Sequence, residues 1–306
     1  MHIEDRIYVA GHNGMVGRNL VEHLEEVGYK NIIFRTSNQL DLRDSVSTKE
    51  FFDQMNPDYV FFIAARVGGI QANINYPVEF LQDNLEIQTN IIKESAAHDV
   101  KKLLFLGSSC VYPRETPQPM KEDQILTGPF EPTNEGYAIA KVAGMKLCEY
   151  YNKQYGTNFI SIIPPNLYGY YDHFGTQKSH VMSALITKAH KAKLEHQNSF
   201  EVWGTGSARR EFMFVRDLSD AMVFLMKHYN DNLLLNVGTG EDIDIRSLAY
   251  LIKDIVGFDG EINFDTTKPD GMPQKLMNVD RLHKLGWKHK TLLKDGISKT
   301  YKWYVQ

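Results

Sequence analysis

The chain is poor in the features that mark several broad classes of protein. It has two cysteines, Cys110 and Cys148, in 306 residues. They form no CxxC and no His/Cys spacing of a metal site, so neither a disulfide framework nor a bound metal is expected. Apolar runs are short. Tyr59–Ala65 is among the longest, well below the roughly 20 residues a membrane-spanning helix needs. No basic stripe is present: 34 Lys and Arg against 38 Asp and Glu give a formal charge of −4. That balance offers no general attraction to nucleic acid or to an anionic membrane. Repeats, low-complexity tracts and Pro/Gly/Ser-rich linkers are missing too. Met1 leads almost at once into a strand-like segment, with no signal-peptide pattern. The expectation is a reduced, cytoplasmic, globular protein acting on small molecules, with no nucleic-acid or membrane partner.

What is present is an alternation of strand-like and helix-like segments. Arg6–Ala10 reads as a buried strand, followed by a helix in which Val16, Leu20, Val21 and Leu24 share one face before Gly28. Asn31–Arg35 and Tyr59–Ala65 read as further strands. Phe80–His98 is a long helix, Lys102–Gly107 a strand, Tyr137–Tyr155 a helix and Phe159–Pro164 a strand. Strands separated by helical crossovers imply an α/β fold with a Rossmann-type, doubly wound parallel sheet. Beyond Asn166 the rhythm weakens. Helices are expected near Ser179–Lys193, Asp217–Tyr229 and Ile245–Val256, interrupted by turn-rich stretches at Trp203–Arg210 and Thr266–Gln274. The expected division is a dinucleotide-binding domain over 1–166 and a smaller, mainly substrate-binding region over 167–306. Residues 217–238 of the latter are expected to return to the main sheet.

Gly11, Gly14 and Gly17 form a G-x-x-G-x-x-G between the first strand and helix. There the first glycine permits a tight turn, the second lets backbone approach a pyrophosphate, and the third lets helix and strand pack closely. The helix N-terminus offers unpaired N–H groups to the anion. A ligand-free glycine turn is the competing reading, but the strand–turn–helix setting favours a dinucleotide. At the end of the second strand, where an NAD site usually carries an acid, stand Arg35, Thr36, Ser37 and Asn38. A cation there suits a 2′-phosphate, so NADP(H) is favoured and NAD is the alternative; a solvated surface arginine is the other reading of Arg35.

Tyr137 and Lys141 lie one helical turn apart on one face. An ammonium near a phenol favours phenolate and lets the tyrosine exchange a proton with a carbonyl or alcohol. Sixteen tyrosines make one such pair easy to obtain by chance. Ser108, at the end of the preceding strand, sits at the sheet edge where such folds bind ligands, and could hydrogen-bond the same oxygen.

These residues, with the stretches AGHNGMVG, AARVGGI, LLFLGSSCVYP, EPTNEGYAIAK, NLYG, SHV, VWGTG, REF, NVGTG and KPDG, make the chain resemble the extended short-chain dehydrogenase/reductase family from end to end. Within it, the chain more closely resembles members that epimerise and reduce GDP-linked 4-keto-6-deoxy-hexoses. The resemblance implies that Ser108, Tyr137 and Lys141 carry a reduction at C4, and that Cys110 and His180 invert C3 and C5. Taken alone, Cys110 reads as a small buried residue and His180 as a helix-capping one; Cys148 reads as core. The resemblance further implies cofactor contacts from Gly11, Asn13, Gly14, Met15, Val16, Gly17, Arg35, Ser37, Ala64, Ala65, Lys141 and His180. Asp41 and Leu42 would lie against the adenine, and Pro164, Asn166 and Leu167 on the nicotinamide side. Lys188, Trp203, Arg210, Asp270 and Lys275 would surround the GDP-sugar, and a homodimer is implied. Each of these five reads equally as a surface or packing residue.

The chain departs from the family pattern in places. Asn13 and Ser37 replace basic residues, which leaves Arg35 as the cation for a 2′-phosphate. Gly136 replaces a proline, Pro165 a small polar residue, and Phe214 and Arg216 a His and an Asp. The alternative activity is C4 reduction of a related GDP-4-keto sugar, such as a 6-deoxy-heptose, without epimerisation.

Overall fold

The computed structural model describes residues 1–175, 179–268 and 270–306. In chain order its elements begin β1 (Ile7–Ala10), α1 (Met15–Glu26), β2 (Ile32–Ile33), α2 (Ser45–Met55) and β3 (Tyr59–Phe62). They continue α3 (Ile70–Asn75), α4 (Pro77–Ala97), β4 (Lys102–Leu106), α5 (Glu135–Tyr155), β5 (Phe159–Ile163) and β6 (Asn166–Tyr168). Then come α6 (Val181–Leu194), β7 (Ser199–Trp203), β8 (Arg209–Phe214), α7 (Val215–His228), β9 (Leu235–Asn236), β10 (Asp242–Asp244) and α8 (Ile245–Val256). The last are β11 (Glu261–Asp265), β12 (Gln274–Lys275), α9 (Asp280–Lys284) and α10 (Leu293–Tyr304).

The main sheet is six-stranded and parallel, in the order β2-β1-β3-β4-β5-β9. The order reverses between β1 and β3, so the carboxyl ends of those strands open a crevice of the kind doubly wound sheets use for ligands. The strands read as continuous apolar runs because helices cover both faces. One face buries Tyr8, Phe62, Phe105 and Ile163 under α2, α4 and α5. The other buries Val9, Phe61, Leu104 and Ile162 under α1 and α7, with Leu282 and Trp287 completing it. A third core, around Tyr168, Leu185, Phe212, Leu248 and Ile252, belongs to the second half. There β8 pairs with β6, β10 and β12, and β7 with β11.

The structure corrects several sequence boundaries. The strand expected at Asn31–Arg35 is only Ile32–Ile33, because β2 is an edge strand and Phe34 and Arg35 turn out to solvent. Helix α2 went unread from the sequence. Its signals are modest: Asp44 caps it through Val46 N at 2.9 Å, and Thr48, Phe51 and Phe52 form the buried stripe. The helix expected from Ser179 begins at Val181, with His180 as N-cap. The stretch Trp203–Arg210 is not all turn, since Trp203 ends β7 and Arg209 starts β8.

Strand β4 is secured at its first residue by a lysine. Lys102 is 2% exposed, and its ammonium donates to the carbonyls of Leu225 (2.9 Å), Met226 (3.1 Å) and Tyr229 and to Asn230 Oδ1 (3.1 Å). It thereby satisfies the open carbonyls at the end of α7. Among the described residues, no helix is long and apolar enough to cross a membrane, and no group of three or more His, Cys, Asp or Glu is arranged to hold a metal ion.

Candidate active site

The glycine loop joins β1 to α1. Gly11 has φ +94°, and a Cβ there would lie 2.7 Å from Ala64 N, so a side chain suits neither the backbone conformation nor the space. Gly17 packs against the Gly11 carbonyl with no room for a Cβ. Gly14 is different: a Cβ built on it meets only the Gly11 oxygen, at 3.7 Å, and otherwise faces open space. It is the N-cap of α1, makes no side-chain cap, and is followed by no acid in the first turn. The leading N–H groups of Met15, Val16 and Gly17 therefore present an uncompensated positive end to an open cradle, which fits a dinucleotide pyrophosphate.

Around the loop, His12 stacks on Phe34 with centroids 4.5 Å apart. Arg35 lies over the Phe51 ring at 5.6 Å and donates to Phe34 O, leaving its guanidinium exposed. Asn13 and Ser37 are exposed. A second cation, Arg18, stands at the loop and donates to the Asn13 carbonyl at 3.1 Å. Its place directly after Gly17 was the signal that sequence reasoning passed over. Asp41 is held by Arg43 at 2.7 Å in an exposed turn, and Leu42 packs on the core beside it. Ala64 continues the β1–β3 ladder through Ala10 O, and Ala65 follows it, half-buried. Pro164 is buried after β5, while Asn166 and Leu167 open β6, Asn166 donating to Glu211 O at 3.1 Å.

The chemistry-bearing side chains gather at the carboxyl end of β4. Helix α5 is seated closely on α4 and β4: Gln88 donates to the Ala140 carbonyl at 2.9 Å, and a Cβ on Gly144 would lie 2.5 Å from Phe105. That seating brings Lys141, 4% exposed, onto the Leu106 carbonyl at 2.8 Å. Its ammonium lies 5.8 Å from the Tyr137 ring centroid. Burial draws the Lys141 ammonium down to about 8, an effect opposed by Cys110. Burial and Cys110 push the Tyr137 phenol up, and Ser108 partly offsets them. At neutral pH the tyrosine thus keeps its proton, with a cation beside its ring. Ser108 begins a short 3₁₀ turn, Ser109–Val111, and accepts weakly from Cys110 N at 3.5 Å. Burial raises the Cys110 thiol, while Ser108, Lys275 and Lys141 favour its thiolate. Cys148, deep in α5, is pushed up to about 12 by burial, with no lysine to oppose it.

Lys275 reaches this group from the second half of the chain. In β12 it is paired in register with Arg210 of β8, so two cations stand side by side. Burial draws both down. The buried Glu211 fixes their strands, accepting from Met277 N at 2.8 Å, Thr239 N at 2.5 Å and Gly240 N at 2.9 Å. Beside Arg210 opens a cavity of about 210 Å³, lined also by Thr239, Asp242 and His289. Farther out, Asp270 accepts from Thr205 N (2.7 Å) and Thr205 Oγ1 (2.8 Å). Trp203 is 63% exposed, with the ammoniums of Lys188 and Lys268 each 5.7 Å from its ring.

The fold thus assembles Ser108, Cys110, Tyr137, Lys141, Lys275 and Arg210 into one region. Trp203, Lys188 and Asp270 form a separate outer group, and His180 stands exposed at the start of α6. The pair Asn73 and Asn134 near Tyr137 escaped sequence reasoning, because isolated asparagines carry no spacing signal.

Known proteins match this arrangement over nearly the whole chain. It is 50% identical over 301 residues to GDP-L-fucose synthase 1 of Arabidopsis thaliana, covering 98% of this chain and 93% of that protein. It is 45% identical over 312 residues to GDP-L-fucose synthase of Escherichia coli K12, covering 99% and 97%. Among solved structures, MlghC, a GDP-mannoheptose C4 reductase from Campylobacter jejuni with NADP bound, superposes with a TM-score of 0.92 at 40% identity and 100% coverage of both chains. The model of the NAD dependent epimerase/dehydratase family matches residues 7–238, and the chain belongs to that family.

Proposed function

We propose that the protein is a bifunctional, NADP(H)-dependent 3,5-epimerase and 4-reductase that converts a GDP-4-keto-6-deoxy-hexose to GDP-L-fucose. The observation that carries this reading is the placement of Cys110 among Ser108, Tyr137, Lys141 and Lys275, a thiol inside a carbonyl-reducing group. The similarity to GDP-L-fucose synthases over at least 98% of the chain supports it.

A 4-keto group acidifies the hydrogens on C3 and C5. Cys110, its thiolate favoured by Lys275 and Lys141, takes a proton from one face, and His180 returns one from the other. Ser108 and Tyr137 hydrogen-bond the C4 oxygen and stabilise the negative charge that gathers there. When bound, NADPH supplies hydride to C4. Tyr137 gives its proton to the oxygen, and Lys141 steadies the resulting phenolate. Gly11, Asn13, Gly14, Met15, Val16 and Gly17 would hold the pyrophosphate, with Arg35 and Arg18 near enough to the loop to answer a 2′-phosphate. Arg210, Lys275 and Lys188 answer the GDP pyrophosphate, and Trp203 packs on a ring.

The setting is cytoplasmic, in keeping with two unpaired, buried cysteines. The active form is a homodimer joined through α4 and α5, whose outer faces leave Val78, Ile139 and Tyr150 exposed. Sedimentation of an Ile139→Glu variant as a monomer would support that pairing.

The test is incubation with GDP-4-keto-6-deoxy-mannose in deuterated water without NADPH, then with it, alongside a GDP-4-keto-heptose. Deuterium should enter C3 and C5, and NADPH should then yield GDP-L-fucose. Reduction without exchange would sink the epimerase and leave a C4 reductase.

A further inference from the structure

A cavity of about 210 Å³ lies between α3, the start of α4 and the turn that leads into α5, and Tyr137 forms part of its wall. It is smaller than the roughly 300–1,000 Å³ that hold drug-sized ligands, and suits one sugar-sized moiety better than a whole nucleotide sugar. Ile74, Pro77, Phe80 and Pro132 give it apolar sides. Two polar atoms stand out among its lining residues. Asn73 Oδ1 and Asn134 Oδ1 are both buried, with no hydrogen-bond partner among the described residues.

The Asn73 orphan is no accident of how an amide was oriented. Asn73 is 7% exposed, and its Nδ2 donates to the carbonyls of Gly68 (3.0 Å) and Gly69 (3.1 Å). Since both partners are acceptors, that end must be the nitrogen, and the free end is an acceptor oxygen. Asn134 occupies the N-cap of α5, where an asparagine ordinarily bonds the first-turn N–H groups, yet its side chain makes no such bond. A fold that leaves two buried acceptors unmatched loses stability at each, unless a ligand supplies the donors. The wall beside them is Gly136. A Cβ there would sit 3.2 Å from the Pro77 carbonyl and 3.6 Å from Leu81, so a side chain would press the turn at Gly136 away from Pro77, the facing part of the cavity wall.

We propose that Asn73 and Asn134 accept hydrogen bonds from ring hydroxyls of the sugar whose keto group Tyr137 protonates, and that with Gly136 they set which sugars the enzyme takes. A hydroxyl donates where an amide oxygen accepts, and the apolar walls cover the ring carbons between. A substrate without the matching hydroxyl leaves an acceptor unpaired, which is how a polar site rejects an analogue. This rests on the function proposed above.

The experiment compares the parent enzyme with Asn73→Ala, Asn134→Ala and Gly136→Ala on GDP-4-keto-6-deoxy-mannose and its 2-deoxy and 3-deoxy analogues. Each asparagine variant should raise KM roughly tenfold on the full substrate, with kcat changed far less and NADPH affinity unchanged. On the analogue that lacks the hydroxyl it reads, parent and variant should have the same KM. Gly136→Ala, which leaves both asparagines in place, should raise KM by shifting the cavity wall against Pro77, and it tests the site even where an asparagine variant folds poorly. Equal KM for parent and all three variants, or the same rise on every analogue, overturns the inference while the proposed function stands. A parent that turns over none of the sugars overturns both.

Discussion

Tyr137 and Lys141 stand on a 21-residue helix locked against β4 by Gln88 and by the close approach at Gly144, whereas Trp203 and Asp270 stand on a strand end and turns at the rim. Lys141 is buried with its ammonium on the Leu106 carbonyl, and Tyr137 is half-buried, edge-on to Phe80. In the second pair, Trp203 is exposed and Asp270 is half-buried, held by Thr205 from a separate turn. A centre that must place a proton within hydrogen-bond reach of one oxygen gains from a rigid mount. A surface that must admit and release a nucleotide sugar gains from looser ones. The two cysteines repeat the contrast within the interior: Cys110 has Ser108, Lys141 and Lys275 around it, while Cys148 has Ser161 and no cation.

Substitutions should separate the two groups, beginning with the largest effect. Tyr137→Phe should lower reduction by about 10²- to 10⁴-fold while NADPH still binds, as followed by nicotinamide absorbance and by calorimetry. Unchanged turnover would remove the tyrosine from the chemistry. Cys110→Ser should cut deuterium exchange at C3 and C5 by about 10²-fold or more. By contrast, Cys148→Ser should leave exchange intact and cost about 1 kcal/mol of stability in a denaturant titration. Equal losses from both would erase the distinction between the thiols. Lys275→Gln should raise KM for the GDP-sugar roughly tenfold and slow exchange as well, because it serves both the anion and Cys110.

The pH profile sharpens the same contrast. Lys141 is held near about 8 by burial, so it carries its proton below that value and loses it above. Reduction, which needs the ammonium, should therefore be level at lower pH and decline as pH rises through about 8. Lys141→Arg should move that decline to higher pH. Trp203→Ala should have the smallest effect, about threefold in KM, since an exposed aromatic contact contributes little.

The rigid half was also the legible half. The runs RIYVA, YVFFIAA and KLLFLG are buried on both faces, so their apolar continuity announces a parallel strand without help from neighbours. Tyr137, Lys141 and the glycine loop are local patterns, set by helical spacing and a single turn. The proposed sugar side depends on pairings that no local pattern encodes. Lys275 meets Arg210 only because β12 and β8 pair in register, sixty-odd residues apart in sequence. Arg18 was passed over because it follows the motif instead of belonging to it. Helix α2 was missed because a polar surface and one Asp44 cap dilute its periodicity. Asn73 and Asn134 became visible only once their bonding could be counted.

Strand β4 has a lysine on each end. Lys102 ties its first residue to the carbonyls that finish α7, and Lys141 rests on the carbonyl of its last, Leu106. A slip of one residue would move the strand about 3.3 Å and break both attachments at once. The strand behaves like a ruler pinned at zero and at its far mark, with Ser108 read off just past the end. Changes to the outer loops that leave both pins in place can alter the sugar admitted without moving the scale along which serine, tyrosine and thiol are measured.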